Sequence, residues 1–132
     1  MRRAIESVKA ATDFDSHPYF TALETGEFLR DDFLETQIQF LFAVVYFPRP
    51  MAILAARLPR PEVRYPVLEN VLEEHGHGDH RMTHEHTFLE LLGRFDIPRQ
   101  EIERRPLWPA IRAFNSALIG TCAHEDPLTG VA

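Results

Sequence analysis

Five of the chain's seven histidines, His75, His77, His80, His84 and His86, stand within twelve residues, with Glu73, Glu74, Asp79 and Glu85 among them. Imidazole and carboxylate donors together suit iron, manganese or zinc. A single cysteine, Cys122, offers no thiolate pair for a structural zinc knuckle. The same composition also suits a solvated polar junction between two helices, so helical phase has to separate the readings.

Over 62–76 the apolar stripe is Val67, Leu68, Val71 and Leu72. At about 100° per residue, Glu69 and Glu73 fall on the opposite side. Glu74 falls at the border of the stripe, one turn beyond Val71, where a carboxylate is partly buried. A carboxylate there needs a cation or several donors, because an unpaired buried charge is costly. Over 79–94 the stripe is Phe88, Leu91, Leu92 and Phe95, and His84 lies on it while His86 points away. One acid and one imidazole are therefore expected to face inward. The structural alternatives are an ion pair between Glu74 and an arginine, and a core histidine bonded to a carbonyl. Glu74-x-x-His77 puts both groups on one face of a continuous helix, as in carboxylate-bridged bundles. Gly76 and Gly78 loosen that helix, so His77 ranks below His84. His80 ranks lower again, and His75 and His86 are expected in solvent.

The elements that must position these groups are all helical. Helices are expected over 3–12, 18–25, 31–46, 50–58, 62–76, 79–94 and 106–121, separated by proline turns such as Leu58-Pro59-Arg60-Pro61 and Asp96-Ile97-Pro98. Asp31 and Asp32 suit a helix start, where carboxylates meet the positive end of the dipole. Pro50 suits a first turn, and His17-Pro18-Tyr19-Phe20 suits a cap and staple. No alternating strand pattern or hairpin turn is apparent. The chain of 132 residues reads as one all-α domain, 1–132, with 45% hydrophobic and 26% charged residues. Its net charge of −6 argues against nucleic-acid binding. No apolar block near the start makes a signal peptide, and the run Ile38–Phe47 is shorter than the ~20 residues of a membrane span. A lone cysteine suits a reducing, cytoplasmic setting.

Three stretches occur in order: HPYFTALETGEFL, LETQIQFLFAVVYFPRPMAILAARLP and VLENVLEEHGHGDHRMTHEHTFLELLGRFDI. Over about 16–97 this arrangement resembles the haem-oxygenase-like di-metal oxidases, iron-containing redox enzymes related to pyrroloquinoline-quinone synthase and thiaminase-II-like proteins. The most specific piece is Glu73-Glu74-x-Gly76-x-Gly78-Asp79, followed by Thr83-His84 and a Phe/Leu-rich helix. The resemblance implies a haem-oxygenase-like helical bundle without haem, binding two iron ions or iron with manganese. It implies activation of dioxygen on a small organic acid or amino-acid-like substrate. The second glutamate of the family's pair falls on Glu74 and its following histidine on His84, the two residues that phase sends inward.

The resemblance also implies further ligands: a Glu on a later helix, then His-x-x-x-Asp-x-x-His. This sequence reaches Leu128-Thr-Gly-Val-Ala132 about where the helix bearing that Glu would begin, so the match is to the family's N-terminal portion. Three readings follow: a fragment, a partner chain that supplies the missing helices, or a homodimer that brings two Glu and two His together. A homodimer would cover an apolar face containing Phe40, Phe42 and Tyr46. The functional expectation is a non-haem di-iron or Fe/Mn oxidase with Glu74, His84 and His77 as metal ligands. The alternatives are a non-catalytic scaffold of the same fold, and a cofactorless hydrolase or cyclase using these residues for acid–base work. Elsewhere, Phe40, Phe42, Val44, Val45, Tyr46 and Phe47 suit either the lining of a pocket for an apolar chain or, for most of them, ordinary core, and Trp108 is expected as a packing anchor. One of Gln37 and Gln39 is expected to approach the pocket. Cys122 beside His124 lacks the third group of a nucleophilic site.

Overall fold

The computed structural model describes residues 2–11, 13, 16–128 and 130. Expectations that touch Met1, Thr12, Phe14, Asp15, Thr129, Val131 and Ala132 lie outside them. The described residues form eight α-helices and two single 3₁₀ turns, with no strand among them. The helices are α1 (Arg2–Ala11), α2 (Pro18–Thr25), α3 (Arg30–Tyr46), α4 (Pro48–Arg57), α5 (Pro61–Glu74), α6 (His84–Gly93), α7 (Arg99–Arg104) and α8 (Pro109–His124). The all-α expectation is met.

Proline opens four of these helices, α2, α4, α5 and α8, at a position whose N–H has no helical partner to lose. For α4 the opening residue is Pro48, two before the expected Pro50. His17 caps α2 through its ring, Nδ1 accepting from the Tyr19 N–H at 3.3 Å. Gly26 ends α2 in the left-handed conformation that glycine takes without strain. Asp31 and Asp32 sit in the first turn of α3, as expected. The short α7 was not foreseen in the sequence; six residues are too few to show a helical period.

The chain divides into two compact units, 1–35 and 36–131. In the first, Tyr19 packs edge-on against Phe20 and Phe28, and Phe28 against Phe33.

The second unit holds two cores. Ile38 and Leu41 of α3, Leu92 of α6 and Ile102 of α7 form one, with Phe42, Val45, Phe88, Leu89 and Ile97 against it. Leu54, Leu58 and Cys122 form the other, with Met51, Val63, Val67 and Leu118 around them. Burial of this kind stabilises by about 25 cal/mol per Å² of apolar surface. The stretch Arg30–Arg57 is long and apolar enough, by length and composition alone, to cross a membrane; here its residues supply both cores.

The stripes are narrower than phase suggested. Leu68 and Leu72 of α5 and Leu91 of α6 face solvent. The second core takes only Val63 and Val67, one turn apart, from α5. Phe40 is also exposed, whereas Phe42 packs onto the first core.

Candidate metal centre

The site is built around the end of α5. The expected helix 62–76 stops at Glu74, because Gly76, His77 and Gly78 all take positive φ. Gly76 is required there. A Cβ on it would lie 2.6 Å from the Met82 carbonyl carbon and 2.7 Å from the Thr83 nitrogen. The chain folds back tightly enough that the 82–83 backbone rests on this glycine. The Asp79 carboxylate accepts from the Arg81 N–H at 3.0 Å and from its guanidinium at 3.1 and 3.2 Å, closing the next turn. Thr83 Oγ1 then accepts from the His86 N–H at 3.1 Å and starts α6. The expected helix 79–94 therefore begins at His84, after two 3₁₀ turns rather than at 79.

This reversal returns His84 to Glu74. Their side chains meet with Nδ1 2.8 Å from Oε2. The Glu74 side chain is 9% exposed and that of His84 53%. Glu74 is thus partly buried, as phase predicted. His84 is not on the buried stripe; at the first position of α6 its ring closes over Glu74 with one face in water. No lysine or arginine pairs with Glu74 among the described residues, so the arginine alternative does not hold.

Glu74 stands between two clefts. One, of about 460 Å³, is lined by Val44, Arg49, His75, His80, Thr83 and Glu85 among others. The second, of about 440 Å³, is lined by Phe40, Phe47, Phe88, Phe114, His84 and Glu74 with smaller side chains. Arg49 stacks on Tyr46, its guanidinium carbon 5.7 Å from the ring centre. Glu85 is 3.7 Å from the Arg99 guanidinium.

His77 does not join Glu74. Its left-handed backbone, φ 51 and ψ 30, carries it to the other side of α5. There one donor atom each of Glu69, Glu73 and His77 lie within 4.8 Å of one another. Among the described residues this is the one group of three such side chains so gathered. His75 turns Nδ1 to the Val71 carbonyl at 2.7 Å, and His80 is exposed on the rim of the first cleft. His86 is half-buried, 3.6 Å from Glu90, rather than free in solvent.

Other expectations resolve into packing. Gln39 is buried and away from the clefts; its Nε2 donates to the Pro106 carbonyl and its Oε1 accepts from the Trp108 N–H, both at 2.9 Å. Trp108 caps α8. Cys122 is buried in the second core, where desolvation pushes its thiol pKa up, slightly offset by Arg57. Of the cleft residues, Phe114 escaped sequence reasoning, and Glu85 was counted in the cluster without being singled out. Phe114 lies on α8, forty residues from Glu74, and Glu85 sits among the histidines with no periodic signal of its own.

Two ligand atoms each about 2.1 Å from one ion and at right angles stand about 3 Å apart. The 2.8 Å between Glu74 and His84 fits adjacent ligands of one ion. A buried carboxylate with no basic partner besides this imidazole fits the charge such an ion brings. No curated protein and no solved structure matches the chain. The family of iron-containing redox enzymes matches residues 34–132, most of the sequence and all of the site just described, and the chain belongs to this haem-oxygenase-like family of oxidoreductases.

Proposed function

We propose that Glu74 and His84 hold iron and that the chain is a non-haem iron oxidase using dioxygen on a small organic acid or amino-acid-like substrate. Two ions, or iron with manganese, fit the resemblance described above. The observation that carries this reading is the 2.8 Å approach of a buried carboxylate and an imidazole with no competing cation. When bound, iron supplies the redox chemistry that side chains lack.

The chain's own residues do the rest. Glu74 contributes negative charge in a partly dry setting, and His84 a neutral donor that leaves coordination positions open. Arg49, on the wall of the first cleft, binds a substrate carboxylate. Phe40, Phe47, Phe88 and Phe114 seat its apolar portion and exclude water from the side facing His84. Two ligands leave the coordination shell to be completed, and a second copy of the chain, docking over the exposed Phe40 and Phe114, is the completion we favour. Light scattering at micromolar concentration should then give twice the chain mass, and a monomer removes that step.

Anaerobic ferrous titration tests the ligand assignment. Glu74→Ala and His84→Ala are expected each to abolish binding at this site, with circular dichroism unchanged. Undiminished binding in either variant overturns its assignment. The second reading, a non-catalytic scaffold, rests on the pair's having no third carboxylate or imidazole gathered with it among the described residues. A folded protein indifferent to iron would favour it.

A further inference from the structure

Glu69 and Glu73 stand one turn apart near the C-terminal end of α5, where the helix macrodipole is negative and cations, not carboxylates, are favoured. Like charges at this spacing repel. The last turn of α5 contains no basic residue. Neither glutamate has a hydrogen bond or ion pair among the described residues, and neither has His77. Two acids thus crowd the wrong end of a helix without any basic side chain to offset them. The group that does reach them is an imidazole. His77 carries two nitrogens that can bind a metal, neither of them committed to a protein partner.

The donor atoms lie within 4.8 Å of one another. In a tetrahedral shell with bonds of about 2.1 Å, ligands stand about 3.4 Å apart. Glu73 and His77 are exposed, so no neighbour pins their side chains in the present rotamers. Two carboxylate oxygens and one imidazole nitrogen, with water in the fourth position, suit a borderline divalent ion such as zinc more than magnesium or calcium.

We propose that Glu69, Glu73 and His77 form a second divalent-cation site, of the zinc class, on the face of α5 opposite its apolar stripe and apart from the Glu74–His84 pair. It does not depend on the function proposed above. An ion there joins the last two turns of α5 to the Gly76–Gly78 turn, the segment that leads round to His84.

Zinc titration by calorimetry, repeated with cobalt(II) to read coordination from its visible bands, tests this. The background is the full chain carrying Glu74→Gln and His84→Ala, which silences the other pair. One zinc per chain is expected to bind there. Adding His77→Ala or Glu73→Gln should weaken it by at least about tenfold. Zinc should also raise the melting temperature of that background and not of its His77→Ala derivative. No zinc binding in the background, or affinity within twofold after both substitutions, overturns the proposal. Iron binding by the unsubstituted Glu74–His84 pair is read separately, so failure at one site leaves the other tested on its own.

Discussion

Replacing Gly76 with alanine should damage this protein far more than replacing Gly78 two positions on. Both glycines have positive φ, +63° and +94°. An L-residue in such a conformation costs about 1–2 kcal/mol, and both variants carry that term. Only Gly76 carries a second one. Its added Cβ would meet three backbone atoms at 2.6, 2.7 and 2.9 Å, those of Met82 and Thr83, whereas a Cβ on Gly78 meets nothing within 4 Å. Backbone cannot rotate away as a side-chain tip can, so the turn must open, and overpacking of this kind costs about 1–3 kcal/mol. The sum for Gly76→Ala is about 2–5 kcal/mol. With an unfolding entropy of roughly 0.3 kcal/mol per degree for a chain of this size, the melting temperature falls by about 10 °C. For Gly78→Ala the fall is about 3–7 °C. Thermal melts and urea midpoints followed by circular dichroism read both. Because Thr83 moves and His84 follows it, Gly76→Ala should also weaken ferrous binding, and Gly78→Ala should leave it nearly intact. Equal destabilisation by the two variants, within about 0.5 kcal/mol, would refute the idea that this backbone contact sets the reversal.

Further expectations follow from single contacts. Gln39→Ala removes both partners of Pro106 and Trp108 and leaves a hole in a buried position, so urea denaturation should show a loss of about 2–4 kcal/mol; a loss under about 1 would mean water replaces the amide. Cys122, buried with its thiol pushed above the usual range, should react with a disulfide reagent at pH 8 only as fast as the protein opens, and reaction at the rate of a free thiol would contradict that burial. Asp79 is held below its ordinary 3.8 by the Arg81 side chain and N–H. Its contribution is therefore present above about pH 4 and lost as pH falls through the lowered value, and Asp79→Asn should flatten the pH dependence of the urea midpoint in that acid window. An unchanged profile would show that the Arg81 contact does not persist in solution.

The helical class and most element positions were legible in residue order, because prolines, first-turn acids and small caps act locally. The inward bias of Glu74 was legible too, since about one turn of a regular helix relates it to Val71 and about two to Val67. Regularity was also the weakness of that method. It carried 62–76 and 79–94 through a stretch where three successive positive φ angles stop any helix. It therefore put His84 on a buried stripe and His77 beside Glu74. It likewise gave Leu68, Leu72 and Leu91 to the core, because periodicity shows which side of a helix is apolar and not how much of that side a neighbour covers.

By itself, then, the order of residues determined that this is an all-α member of an iron-containing redox family with an acid and an imidazole set for one another. It also ranked His84 ahead of His77; only the tertiary structure decided how His84 reaches Glu74 and where His77 goes instead. A single glycine, pressed against the backbone of residues 82 and 83, reverses the chain so that His84 lands on Glu74 and His77 turns toward Glu69 and Glu73. Such a reversal depends on contact between segments six residues apart, and no helical period records a contact of that kind.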